Sequence, residues 1–155
     1  MVDGLRQVWR CTTIHGPCPA NAVGTARGVY GSRIDVGQLT GFPFPVGGAN
    51  VYRVPAGGGT PQVHASGFTA IIDILFGPDG SLYVLQIAAN GLLGAFSSGD
   101  WTGALIQVMP DGTRTEIAAG ALTAPGGVAM GRDGALYVTN RSIYSNAGQV
   151  LQIRQ

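Results

Sequence analysis

The side chains able to do chemistry are few in this chain and widely spread. Cys11 and Cys18 flank His15, three metal-ligating types in one short stretch. Zinc needs a fourth ligand and none is near. The stretch reads as a loop with two ordinary thiols, or as one short disulfide loop in an exported protein. His64 falls in an outer, edge-like strand, where a solvated position is expected. No serine stands in a Gly-x-Ser-x-Gly elbow. Asp79, Asp111 and Asp133 each precede a glycine, which is the mark of a turn and not of an acid–base pair. What remains is Asp73, the amides Asn90 and Asn140, and the aromatics Phe42, Phe44, Phe96, Trp101 and Tyr144. Aromatics and amides around one opening suit a planar or polar small molecule, but aromatics also pack into cores and between elements. The elements that carry them decide between the two.

Those elements repeat. Gly77-Pro-Asp-Gly-Ser-Leu-Tyr-Val84 returns 54 residues later as Gly131-Arg-Asp-Gly-Ala-Leu-Tyr-Val138. Gly48-Ala-Asn-Val-Tyr-Arg-Val-Pro55 matches Gly103-Ala-Leu-Ile-Gln-Val-Met-Pro110 at an offset of 55, and Gly148-Gln-Val-Leu-Gln-Ile-Arg154 is a third copy. Val63 to Gly67 pairs with Ile117 to Gly120 in the same order. Asp-Gly between apolar runs is a hairpin signal, and Leu-Tyr-Val is strand-forming by its β-branched and aromatic content. Four strands per repeat of roughly 40–50 residues is the signature of a propeller blade. The spacing predicts a complete middle blade at Ile71–Phe76, Ser81–Gln86, Gly103–Met109 and Thr113–Ala118. A last blade follows at Gly126–Met130, Ala135–Asn140 and Gly148–Arg154. The first blade has clear third and fourth strands at Ala49–Pro55 and Pro61–Ala65, with Val29 to Val36 standing where its first hairpin should be.

The fold class is therefore all-β, a β-propeller fragment of about three four-stranded blades. Residues 1–21 form a divergent N-terminal segment, and the blades cover approximately 22–66, 67–120 and 121–155. The composition agrees. With 26 glycines and 9 prolines in 155 residues, long helices are excluded. A charged fraction of 11% beside 45% apolar residues describes a packed chain, not a disordered one. A net charge of +1 without a basic cluster argues against a nucleic-acid partner. No apolar run is long enough for a membrane span, and Met1 to Thr13 is too polar for a signal peptide, so a cytoplasmic location is expected.

Residues from roughly Val36 to Ile153 resemble the ScyD/ScyE family of propeller proteins, whose better-known members are encoded in cyanobacterial scytonemin gene clusters. The likeness is carried by Val36-Gly-Gln-Leu-Thr-Gly-Phe-Pro-Phe-Pro-Val-Gly-Gly-Ala-Asn-Val-Tyr-Arg-Val54, by Gly67-Phe-Thr-Ala-Ile-Ile-Asp73 and by both Gly-x-Asp-Gly-x-Leu-Tyr-Val segments. The hairpins alone also fit NHL-repeat and gluconolactonase-like propellers. The resemblance implies full propellers with an export signal, of which this chain matches the C-terminal half. Relatives tend to have an acidic residue after the Tyr-Val strand, where this chain has Gln86. Gluconolactonase-like propellers bind a divalent cation at the channel mouth through Glu, Asn and Asp. Here Asp73, Asn90 and Asn140 are the oxygen donors on offer, without the Glu, so no metal is expected, and Asp73 and Asn140 are the weak candidates for such a cation.

Three blades leave two sheet faces open, and a blade is stable when both faces are covered. Three arrangements are open. Two copies could pair as a homodimer into a six-bladed ring, the N-terminal stretch Leu5 to Ile14 could add a closing strand, or the chain stays poorly folded or assembles through its end blades. The loops between second and third strands, Leu39–Gly48, Ile87–Thr102 and Arg141–Ala147, fall on one face and are longer than a hairpin needs. They carry Phe42, Phe44, Asn90, Trp101 and Tyr144, with Asn140 at their border, as candidate ligand-binding residues. The expected function is a non-enzymatic scaffold or small-molecule or protein binding module. The alternative is a metal-dependent lactonase, hydrolase or lyase of the gluconolactonase-like class.

Overall fold

The computed structural model describes residues 22–30, 33–55 and 58–154. The expectations placed on Cys11, His15, Cys18 and the Leu5 to Ile14 strand lie outside the described residues. Among the described residues eleven strands and one short helix follow in order: β1 (Ala22–Tyr30), β2 (Arg33–Thr40), β3 (Ala49–Val54), β4 (Gln62–Phe68), β5 (Ile71–Phe76), β6 (Leu82–Gln86), α1 (Leu92–Ser98), β7 (Ala104–Val108), β8 (Arg114–Ile117), β9 (Gly127–Met130), β10 (Leu136–Asn140) and β11 (Gln149–Ile153). They form two four-stranded sheets, β1-β2-β3-β4 and β5-β6-β7-β8, and a three-stranded sheet, β9-β10-β11, each an antiparallel meander. The first strands β1, β5 and β9 lie side by side. This is the blade arrangement of a propeller, in three consecutive sheets.

The hairpins show why the repeat folds as it does. Gly77 N–H donates to Ser81 O at 2.8 Å, and Met109 to Thr113 and Gly131 to Ala135 repeat that bond at 2.8 Å each. The Oδ1 atoms of Asp79, Asp111 and Asp133 accept the backbone N–H of the residue two positions on, at 3.0, 2.8 and 3.2 Å. Gly80, Gly112 and Gly134 follow with φ of 83°, 87° and 77°, which only glycine adopts without cost. The degenerate first hairpin also forms, with Tyr30 facing Arg33 across it.

Alternation along β6 splits the interior. Leu82 and Val84 pack with Ile74 of their own sheet against Ala49, Val51, Ala65 and Phe68 of the first sheet. Tyr83 and Leu85 pack with Leu105 against Val128, Leu136 and Val138 of the third. The middle sheet is thus covered on both faces, and all of β6 is buried. The faces correct one alignment. An offset of 55 equates Val51 with Ile106, yet Val51 points toward the following sheet, as Leu105 does, while Ile106 points toward the preceding one. Val51 and Leu105 are the structural equivalents, because a slip of one residue exchanges the two faces of a strand.

The same register reveals a polar ladder. Tyr83 faces Gln107, Tyr137 faces Gln152, and Asp35 faces Arg53 at the matching place in the first sheet. Gln107 Nε2 donates to Tyr83 OH at 3.2 Å, and Gln152 Nε2 to Tyr137 OH at 2.9 Å. In the first sheet an ion pair takes over. Asp35 has no exposed surface and accepts from Arg53 Nε at 3.2 Å and from His64 Nδ1 at 3.1 Å. Arg53 also places a guanidinium nitrogen 2.8 Å from His64 Nε2. Arginine only donates, so Nε2 accepts and the proton sits on Nδ1: the bonds select a neutral histidine. His64 further stacks on Phe76 of the next sheet, with ring centroids 6.3 Å apart. His64 is exposed, as expected for an edge strand, and from that edge its Nδ1 still reaches the buried carboxylate of its own sheet.

Candidate functional site on the loop face

The connections between second and third strands share one end of the sheets. The first runs from Gly41 to Gly48, two residues later than expected because β2 extends through Thr40, and is tied down by Gly47 N–H donating to Thr69 Oγ1 at 2.9 Å. The second, expected as a plain loop, contains α1. Gly91 precedes the helix with φ 102° and Gly99 ends it in the left-handed region at φ 76°. Its period was hidden in the sequence because a helix of seven residues offers barely two turns of pattern. The third connection is bound to the second through Ala124, which donates to Trp101 O at 2.7 Å and accepts from Ser142 N–H at 2.9 Å.

A small apolar cluster underlies the first two connections. Ala70, Ala88, Leu92 and Ala95 are its buried members, and Leu39, Phe44, Ile87 and Trp101 pack on them. Two aromatic pairs stand on this base. Phe42 meets Phe44 edge to face at 6.2 Å and 83°, and Phe96 meets Trp101 edge to face at 5.1 Å and 86°. Such pairs are favourable beyond the area they bury. The inner ring of each pair is anchored, and the outer ring is open: Phe42 is 73% exposed and Phe96 70%. Val46 and Leu93 are exposed on the same connections. The candidates Phe42, Phe44 and Trp101 therefore converge. Phe96 completes the set, and its signal was the aromatic in an overlong loop.

The other candidates are placed differently. Asn90 Nδ2 donates to Asp100 Oδ2 at 2.9 Å. The Asp100 carboxyl is held below its ordinary range, first by the Thr102 hydroxyl and then by Asn90, so this pair closes the base of the second connection. Tyr144 is exposed on the third connection. Asn140 is buried, and its Oδ1 accepts the Thr123 N–H at 2.7 Å. Asp73 Oδ2 accepts the Val128 N–H at 2.9 Å, and Oδ1 its neighbour Ile74 at 2.9 Å. It joins the innermost strands of the second and third sheets.

The residues present do not fit a divalent cation. Such an ion needs several converging oxygens, and Asp73 and Asn140 direct their oxygens at backbone N–H groups of two different segments. Among the described residues no three His, Cys, Asp or Glu side chains gather closely enough to hold a metal.

No family model matches the chain, and no curated protein does. An X-ray structure of a candidate gluconolactonase is similar at 15% identity and a TM-score of 0.49, over 77% of this chain and 45% of that one. This chain spans less than half the length of that protein. At that identity and score the architecture rests on the three sheets themselves. Neither the family models nor the curated proteins support the ScyD/ScyE resemblance.

The position of Gln86 gains a role that sequence reasoning missed. Gln86 is buried, and its Oε1 accepts the Thr69 N–H, as Asn140 does for Thr123 in the next sheet. Ala70 and Ala124, which follow those threonines, both take positive φ, at 46° and 42°. The bend before each innermost strand leaves one N–H without a ladder partner, and a side-chain carbonyl from the second strand fills the gap.

Proposed function

We propose that this protein is a non-enzymatic propeller-type binding module, of the ScyD/ScyE kind by its residue resemblance, whose loop face takes up a small molecule with a planar apolar part. One observation carries the reading: two exposed phenylalanine rings, Phe42 and Phe96, each braced edge to face on an anchored ring, stand on one shared apolar base. Bracing limits the rotamer entropy lost on binding. Exposed apolar surface held in place in this way is more economical for recognition than for stability. The use of Asp73 and Asn140 as backbone acceptors supports binding over metal-assisted hydrolysis.

The test is a fluorescence titration with 8-anilinonaphthalene-1-sulfonate, beside an assay for hydrolysis of glucono-1,5-lactone with and without added calcium. Saturable probe binding is expected, weakened at least tenfold in a Phe42→Ala/Phe96→Ala variant of unchanged circular dichroism. Calcium-dependent lactone turnover that Asp73→Asn abolishes without unfolding the protein would replace this reading with the enzymatic one.

A further inference from the structure

The outward face of the third sheet is built like a face that is buried inside the molecule. Between the second and third sheets, the second presents Leu75, Tyr83, Leu85, Leu105 and Gln107, and the third covers them. At the matching places the third sheet turns outward Ala129, Tyr137, Thr139, Val150 and Gln152, which its pairings put on one side. The polar bridge is assembled on both faces. Gln152 Nε2 donates to Tyr137 OH at 2.9 Å and to Asp133 Oδ2 at 3.0 Å, and Tyr137 OH donates to that carboxylate at 3.0 Å. On the buried copy Gln107 binds Tyr83 OH and Ser81 Oγ, and Asp79 accepts from Ser81 Oγ at 2.8 Å. Val150, at the place of Leu105, is 67% exposed.

The complementary face lies at the other end. The second and third sheets each show their predecessor an aliphatic face, Leu82 and Val84 in one case, Leu136 and Val138 in the other. The first sheet shows the same places outward as Ile34 and Val36, with Tyr52 and Val54 paired beside them. Val63, across from Tyr52, is 57% exposed.

We propose that the Tyr137–Gln152 face of the third sheet docks on the Ile34–Val36 face of the first sheet of a second copy, so that two copies close a ring of six sheets. The contact continues the stacking already present between the second and third sheets, with the donor and acceptor faces in the same register. A contact of one face with a different face closes only when the rotation returns to its start, and two identical arcs joined at both ends do so.

Light scattering coupled to size exclusion tests this on the full chain and two variants, Val150→Arg and Val63→Arg, one on each face. The wild type is expected at the mass of two chains. Each variant alone is expected at the mass of one chain with unchanged circular dichroism, because an arginine on either face disturbs both contacts of the ring. An equimolar mixture of the two variants keeps one unaltered contact and is expected to regain the two-chain mass. A folded wild type at the mass of one chain overturns the proposal. So does a mass above two chains, a two-chain mass that both substitutions leave intact, or a mixture that stays at one chain.

Discussion

Gln86 and Asn140 hold the same place in consecutive sheets, and each lends a carbonyl oxygen to a threonine N–H that no strand pairs. Asn140 entered as a candidate ligand; its burial and its bond to Thr123 give it a structural duty. Asn140→Leu fills a similar volume but removes the acceptor. Leaving a buried N–H unsatisfied costs about 1–3 kcal/mol, so the urea midpoint is expected to fall by that equivalent at an unchanged slope. A residue serving only a ligand would leave the midpoint where it was. The ion pair of Asp35 follows the same logic. Its carboxylate is buried where the other sheets have tyrosine, and Arg53 and His64 supply the donors that make this tolerable.

At the scale of elements, the Gly-x-Asp-Gly hairpin is the unit that recurs, and two of its residues are constrained for different reasons. Gly77 sits under the ring of Tyr83: an added Cβ would meet Tyr83 Cε2 at 3.1 Å and Asp79 Oδ1 at 2.7 Å. Gly77→Ala is expected to cost about 1–3 kcal/mol through overpacking, read from thermal or urea unfolding. Asp79 contributes through its charge. Its carboxyl lies below the ordinary 3.8, first through the Ser81 hydroxyl and next through the Ser81 N–H. A depressed folded pKa means that the contribution is present above the unfolded value and is lost as pH falls through the folded one. Stability is therefore expected to decline below about pH 4, and Asp79→Asn is expected to flatten that decline. Urea midpoints measured across the acid range check it, and an equally steep decline in the variant would contradict it.

For the whole molecule, the middle sheet carries the cohesion because both of its faces are covered. Leu136 of the third sheet has no exposed surface and belongs to the cluster that joins the third sheet to the second. Leu136→Ala is expected to cost about 2–5 kcal/mol and, with unfolding followed by circular dichroism, to lower the midpoint of one cooperative transition. If the third sheet instead melts separately while the first two persist, the sheets are not one cooperative unit. Repeat architectures make that outcome measurable, since each sheet is stabilised chiefly by its neighbours.

The sequence by itself determined the strands and the turns. Asp-Gly at fixed offsets and the Leu-Tyr-Val runs act locally, through backbone preference and alternation, so the middle and last sheets were legible nearly to the residue. It also marked Phe42, Phe44 and Trp101 as aromatics in overlong loops. Tertiary structure decided what depends on neighbours distant in the chain. Which face Val51 takes is fixed by its pairing with Gly37, as that of Leu105 is by Leu85, and a repeat offset is blind to such pairings. His64 is legible as an exposed edge residue, but its partners Asp35 and Arg53 come from two other strands that only the sheet brings beside it. Asp73 and Asn140 look like free oxygen donors until Val128 and Thr123 present N–H groups that need them. The bracing of Phe42 and Phe96 likewise exists only after two loops share one apolar base, because packing is a property of surfaces in contact and not of residues in order.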